Sequence, residues 1–169
     1  SDPADPLPCD KSALIRELEI SDPGRDPFLT LDEWLREAPR PPRGLSKERR
    51  DAFYRAWTTL WINTQSVEGA WIKPIISPGQ RYMRGIWLWD AAFHVFGLAH
   101  GGPKARRLGL WQIEVMLSGQ EPSGKIPREI WQKGPRSFGK HGIQPPGILT
   151  LAANRLLPAA DRGEETASV

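Results

Sequence analysis

The sequence predicts an all-α fold whose long loops gather at one end of the helices. Apolar residues recur at spacings of three and four, the period of a helix that faces a core. The clearest series are Phe53, Trp57, Leu60 and Trp61, and then Leu108, Trp111, Val115 and Met116. Each amphipathic segment is followed by one that is apolar almost all round, over about 90–100 and 145–157. We expect these two to be buried on most sides.

Local signals place the ends of the first helices. Thr30-Leu31-Asp32-Glu33 is a capping box, in which the hydroxyl and the carboxylate satisfy free backbone amides, so a short helix should open there and end before Pro41. Ser46 is a good N-cap for the first long helix. We expect that helix to run to about Gln65.

Glycine and proline punctuate the rest of the chain. The helix from about Asp90 to His100 should stop at Gly101-Gly102, a typical C-terminal signal. Pro103 suits the first turn of the next helix, which should end at Gly119. Pro145-Pro146 should open the last one.

Two long connections, 66–89 and 120–144, carry no helical pattern. Loops of that length inside a compact domain are usually functional. If neighbouring helices are antiparallel, both loops lie at the end that holds the N-termini of the two apolar helices. We therefore expect Asp90, Gln144 and both loops to meet on one face.

Composition limits the class of protein. The chain carries a formal net charge of +3 and 25% charged residues, and no run approaches the roughly 20 apolar residues of a membrane span. The single cysteine, Cys9, excludes an internal disulfide and a cysteine-based zinc site. No signal peptide is visible, so we expect a cytoplasmic location and no membrane partner.

The basic excess is local, between residues 36 and 50. Such a stretch suits either a nucleic-acid patch or a solvated linker and helix start. Because no aromatic residues interleave with the charges, we favour the second interpretation and expect no nucleic-acid partner.

Asp90 is the most informative polar residue, because it heads an apolar helix directly after Trp87-Leu88-Trp89. It could serve as an N-cap, or it could bind sugar hydroxyls while an indole stacks on the sugar ring. The two roles are compatible. His94 follows four residues later on the same helical face, where it could orient Asp90, touch a ligand, or be a buried histidine satisfied by a neighbour.

Two further residues lie in or beside the second loop. Gln144 precedes two prolines that fix its backbone, and its amide suits bidentate hydrogen bonds to adjacent hydroxyls. Glu129, close to Trp131, is either a pocket carboxylate or a surface acid. The chain has no glycine-rich phosphate loop, GxSxG elbow or HExxH motif, and its three histidines are scattered. We therefore expect no cofactor and no metal.

Three segments together resemble a known clan of glycosidases. They are 84–94 (RGIWLWDAAFH), the 120–127 loop (QEPSGKIP) and 143–146 (IQPP). They are similar to the (α/α)6-barrel glycosidases that include processing α-glucosidase I, bacterial mannosylglycerate hydrolase and, more distantly, trehalase. The resemblance covers about residues 46–157.

The resemblance implies a fold, a substrate and a set of site residues. Residues 46–169 would be the N-terminal portion of an incomplete (α/α)6 barrel. The residue pattern itself, with its repeated Asp-Pro pairs, predicts a leader or linker at 1–29 and a short helix and linker at 30–45. Asp90 and Gln144 would bind the sugar of an α-glucoside or α-mannoside, with Trp87 and Trp89 as an aromatic wall. From its place on the helix, independently of the resemblance, we add His94 to the expected substrate-binding residues. The remainder of the barrel would be a partner.

The resemblance also implies what this chain does not supply. Family members are inverting hydrolases, which need one carboxylic acid and one carboxylate about 6.5–9.5 Å apart. The Glu-Ser-Gly-x-Asp segment that carries the family's acid does not occur in this sequence. We therefore assign no catalytic residue and expect a portion of a glycosidase. The alternative is a non-catalytic helical carbohydrate-binding or interaction module, or a truncated remnant.

Overall fold

A computed structural model describes residues 30–66, 71, 73–79, 85–131 and 147–156. Within these ranges the chain forms five helices and four short strands: α1 (Leu31–Arg36), α2 (Lys47–Ile62), β1 (Thr64–Gln65), β2 (Ile75–Ile76), β3 (Gly85–Trp87), α3 (Leu88–Leu98), α4 (Pro103–Leu117), β4 (Glu129–Trp131) and α5 (Ile148–Leu156). The proposed leader at 1–29 lies outside the described residues. No helix in the described ranges combines the length and the apolar character needed to cross a membrane.

The all-α prediction, and with it the purely helical barrel segment, is wrong. Helices hold 56% of the described residues, and two antiparallel sheets of two strands each accompany them. The strands β1 and β2 form one sheet, and β3 and β4 form the other. Both long loops send buried side chains into the core, among them Ile75, Ile86 and Ile130. Backbone groups that enter a core need hydrogen-bond partners, and strand pairing supplies them.

The first two helices begin where the sequence predicts. The Thr30 side chain accepts a hydrogen bond from the backbone N–H of Glu33, and the Glu33 carboxylate accepts one from the backbone N–H of Thr30 at 2.9 Å. The predicted capping box is confirmed. Ser46 is the N-cap of α2, which ends at Ile62, three residues earlier than expected.

The glycine pair before α4 has a different role from the one expected. The helix α3 ends at Leu98, and Gly102 has an ordinary φ of −69°, so no left-handed cap is formed there. Close packing against neighbouring side chains favours glycine at both positions, because a Cβ would have no room. A Cβ on Gly101 would lie 2.6 Å from the Trp57 ring, and one on Gly102 would lie 2.5 Å from a carboxylate oxygen of Glu37.

The two helices that are apolar all round are not buried all round. Trp89 and Phe93 of α3 are each 50% exposed, and Leu151 of α5 is 54% exposed. The two helices pack against each other and against α4. Part of each helix therefore faces solvent. This part of the prediction is wrong.

Two clusters of buried residues make up the core. The first joins α3, α4 and α5 to strands β2, β3 and β4 through Ile75, Ile86, Leu88, Ala91, Ala92, Val95, Ile113, Val115, Met116, Ile130, Leu149 and Ala152. The second joins α1 and α2 to β2, α3 and α4 through Leu31, Trp34, Leu35, Trp57, Ile76, Leu98, Ala105 and Leu108. The short helix α1 is therefore part of the core and not of a linker.

A pair of tryptophans holds α1 on α2. The rings of Trp34 and Trp57 stack with centroids 4.8 Å apart. The indole N–H of Trp34 donates to the carbonyl of Trp57 at 2.9 Å, and the indole N–H of Trp57 donates to the carbonyl of Trp34 at 3.0 Å. Each buried indole thus satisfies its polar atom on the partner's backbone.

The helix α1 also caps α4. The N-cap of α4 is Gly102, which has no side chain to satisfy the free amides. Glu37, which follows α1 in the chain, provides the missing acceptor. Its carboxylate accepts from the backbone N–H of Lys104 at 2.7 Å and from that of Ala105 at 3.2 Å. Its carbonyl accepts from Gly102 at 2.9 Å. A carboxylate at a helix N-terminus is favoured by the helix dipole.

We predict that Trp57→Phe destabilises the fold by about 2 kcal/mol, because it deletes one of the reciprocal hydrogen bonds and part of a buried stacked ring. Urea unfolding followed by circular dichroism measures the change. The matched control is Trp89→Phe, at a half-exposed position, which we expect to cost less than about 0.5 kcal/mol. Equal unfolding midpoints for the two variants would contradict the role given to the tryptophan pair.

Candidate functional site

The two long loops meet at the N-terminus of α3. Strands β3 and β4 come one from each loop, and their register pairs Gly85 with Trp131, Ile86 with Ile130 and Trp87 with Glu129. The loops thus converge where the sequence predicted, at the first turn of the helix that carries Asp90.

Two contacts fix the sheet to the helix. The first backbone N–H of α3, that of Leu88, donates to the carbonyl of Arg128 at 2.8 Å, so the residue before β4 satisfies a free helix amide. Gly85 allows the strands to approach, since a Cβ there would lie 2.7 Å from the backbone oxygen of Ile130. The helix starts from a sheet whose position is set by backbone atoms.

Two indoles and a carboxylate lie on this sheet. The rings of Trp87 and Trp131 meet edge to face with centroids 5.0 Å apart. Glu129 lies opposite Trp87 in the register and is only 7% exposed. Its carboxylate accepts from the guanidinium of Arg128 at 3.0 Å, and the Arg128 side chain is half exposed. This ion pair compensates the burial of the Glu129 charge.

Asp90 lies in the first turn of α3 and is half-buried. It is not the N-cap: the helix begins two residues earlier than expected, and Trp87 holds the cap position without a side-chain hydrogen bond. Burial raises the pKa of the Asp90 carboxyl, and a hydrogen bond from its own backbone N–H opposes that shift. Among the described residues no other group donates to this carboxylate. It is a half-buried acid with no counter-charge in the described part of the chain.

The second tryptophan of the motif belongs to another aromatic group. The ring of Trp89 meets that of Phe93 edge to face at 5.0 Å, and Phe93 meets Phe96 at 5.8 Å. Trp87 contacts Trp131 on the sheet side instead. The two indoles of the motif therefore flank Asp90 in different surroundings, one half-buried on the sheet and one half-exposed on α3.

His94 lines a cavity between α2 and α3, which we call the α2–α3 cavity. It has a volume of about 460 Å³, and its lining includes Phe53, Trp57 and Leu60 of α2 and Phe93, His94 and Gly97 of α3. The buried Nδ1 of His94 has no hydrogen-bond partner among the described residues. Burial lowers the pKa of His94 from its ordinary 6.5 to about 4, so the ring is neutral at pH 7.

Gln144 lies outside the described residues, so the predicted site is described at four of its five positions. From the sequence, Glu129 is either a pocket carboxylate or a surface acid, and Trp131 has no predicted role of its own. A signal for both was present: each long loop carries an Ile-Trp pair, in Gly85-Ile86-Trp87 and in Glu129-Ile130-Trp131. Two β-branched and aromatic pairs of this kind favour strands that pair.

The described residues contain no group of three histidine, cysteine or acidic side chains that could hold a metal ion. Comparison of the chain with protein-family models, with curated proteins and with solved structures gives no match.

We predict that protonation of His94 destabilises the fold. Because its pKa is lowered to about 4, the unfolded chain binds a proton between that value and 6.5 that the folded chain does not. The free energy of unfolding should therefore fall as the pH drops from 7 to 4.5. We expect His94 to account for about 2 kcal/mol of this loss, less than the full shift because the ring keeps some solvent contact.

Asp90 acts with the opposite sign, since a carboxyl with a raised pKa favours the folded state on protonation. The measurement therefore compares the wild type with His94→Gln, which keeps Asp90, by urea unfolding at pH 7 and at pH 4.5. The free energy of unfolding of the wild type minus that of His94→Gln should be smaller at pH 4.5 than at pH 7. A difference that is the same at both pH values would show that His94 does not titrate as described.

Proposed function

We propose that this chain supplies the sugar-binding face of a glycoside hydrolase that acts on α-linked glucosides or mannosides. One observation carries the proposal. The pairing of β3 with β4 brings Trp87, Trp131 and Glu129 beside the first helical turn. There the half-buried Asp90 carboxylate accepts, among the described residues, only from its own backbone N–H.

The chemistry of these groups suits a sugar. Sugar rings offer adjacent hydroxyls, which donate to a carboxylate, and apolar C–H faces, which stack on indoles. A half-buried carboxylate with a single backbone donor has lost part of its hydration, and hydroxyl donors from a ligand reduce that cost. Asp90 is therefore better satisfied with a polyhydroxylated ligand than without one.

The sequence motifs support the same proposal. The Trp-x-Trp-Asp motif at 87–90 and the Gln-Pro-Pro motif at 144–146 resemble the sugar-binding motifs of the glycosidases named above. We propose that Gln144 contributes a second polar contact and that Trp89 and His94 border the site. We further propose a cytoplasmic location, on the sequence argument alone.

Sugar binding is the first test. We expect methyl α-D-glucopyranoside or methyl α-D-mannopyranoside to bind with a Kd in the millimolar range, measured by ¹H–¹⁵N chemical-shift titration. Asp90→Ala should weaken binding at least about tenfold, because hydrogen bonds to a charged group are worth about 1.5–3 kcal/mol. The shifts should centre on the start of α3 and on β4.

The control for this test is Asp32→Asn, which changes an exposed acid on α1 that is ion-paired with Arg36 at 3.0 Å. It should bind both sugars as the wild type does. No shift at 100 mM sugar, or equal binding by Asp90→Ala and the wild type, would refute the proposed site.

Hydrolysis is a separate prediction. We expect no turnover of aryl α-glucosides or aryl α-mannosides above a buffer blank, because an inverting hydrolase needs an acid and a base. Here the Glu129 carboxylate is engaged with Arg128, and the family's acid-bearing segment does not occur in the sequence. Turnover that Glu129→Gln abolishes would contradict this and would make Glu129 a catalytic residue.

A second candidate function is a non-catalytic carbohydrate-binding or interaction module. The observation that favours it is the exposed apolar surface on the outer faces of α3, α4 and α5, which includes Trp89, Phe93, Leu110, Leu117 and Leu151. Surfaces of this kind mark contacts with other polypeptides. Sugar binding without any hydrolysis, even when a polypeptide partner covers these faces, would favour the module over the enzyme.

A further inference from the structure

The α2–α3 cavity has the character of a small-molecule site. Its volume of about 460 Å³ falls within the range of ligand pockets, which is about 300–1,000 Å³. Phe53, Trp57 and Leu60 form one wall, and Phe93 and Gly97 form the other. Pockets for small ligands are lined in this way by apolar and aromatic side chains with a few polar groups.

Arg40 brings a positive charge to the cavity. Arg40, from the segment between α1 and α2, lines the cavity and is exposed, and no described residue forms an ion pair or hydrogen bond with it. The described lining residues include no carboxylate. The other polar residues among them are His94 and His100, and His94 has a buried Nδ1 without a described partner.

We propose that the α2–α3 cavity binds a small monocarboxylic acid with an aromatic or aliphatic body. The body lies between the aromatic side chains of α2 and α3, and the carboxylate binds the guanidinium of Arg40. A guanidinium binds a carboxylate through two parallel hydrogen bonds, which gives both energy and orientation.

The same features argue against a sugar in this cavity. A sugar has hydroxyls around its whole ring, and most of them would lie against apolar walls without partners. An apolar body loses no hydrogen bonds there and removes exposed aromatic surface from water. The cavity shares His94 with the border of the proposed sugar site, but its argument uses neither Asp90 nor the β3–β4 sheet, so it does not depend on the sugar-binding proposal.

The probe is 4-phenylbutyrate, and its matched neutral control is 4-phenyl-1-butanol, which has the same body and no charge. Chemical-shift titration of the ¹⁵N-labelled protein should give a Kd for the acid on the order of 1 mM. The alcohol should bind about tenfold more weakly. The shifts should centre on Phe93, His94 and Gly97.

Two variants test the two halves of the site. Arg40→Gln should weaken binding of the acid about tenfold and leave that of the alcohol unchanged, whereas Arg43→Gln, an exposed arginine outside the lining, should change neither. Gly97→Leu should abolish binding of both, because its side chain fills the cavity. A Cβ on Gly97 meets only Leu60, at 3.9 Å, so this variant folds without a clash at that atom.

Three results would overturn the proposal. The first is equal affinity of the wild type for the acid and the alcohol, which would remove the role of Arg40. The second is undiminished binding by Gly97→Leu, which would place the probe elsewhere on the surface. The third is the lack of any shift at 10 mM acid.

Discussion

The start of α3 is held by antiparallel pairing between residues 85–87 and 129–131, and the candidate site depends on that pairing. The strands come from loops that are 42 positions apart at Trp87 and Glu129, as the sequence numbers show. The strand hydrogen bonds fix the position at which the helix begins, together with the bond from the Leu88 N–H to the carbonyl of Arg128. Every side chain of the proposed sugar face that the structure describes takes its position from this junction.

The helices could be predicted because their signals are local. A capping box at Thr30, an N-cap at Ser46 and a proline at position 103 each act within one helical turn, and all three helices begin beside these residues. Strand pairing is not local. The Ile-Trp pair in each long loop favours a strand, but it does not specify the partner, which lies in another loop. Convergence of the loops could be argued from helix direction, but the sheet that joins them could not.

Burial was the other quantity that sequence pattern could not supply. A helix that is apolar on every side predicts burial on every side only when neighbours cover each face. The described chain packs α3 against α4 and α5 on one side, and Trp89 and Phe93 remain half-exposed on the other. The reverse holds for Glu129, a charged loop residue that is buried because its strand crosses the core. Both differences follow from tertiary packing, which overrides what a residue's polarity suggests.

The capping of α4 by Glu37 has a consequence for the order in which the protein assembles. Glu37 and the amides that it accepts from are 67 and 68 residues apart in sequence. A contact of that separation carries a large loop-closure entropy and forms after contacts within shorter stretches. During synthesis α1 and α2 leave the ribosome well before α4, and their tryptophan pair is separated by only 23 residues. We therefore expect α1 to dock on α2 first, and the carboxylate of Glu37 and the apolar residues of the second core cluster to gain their partners once α4 has been synthesised.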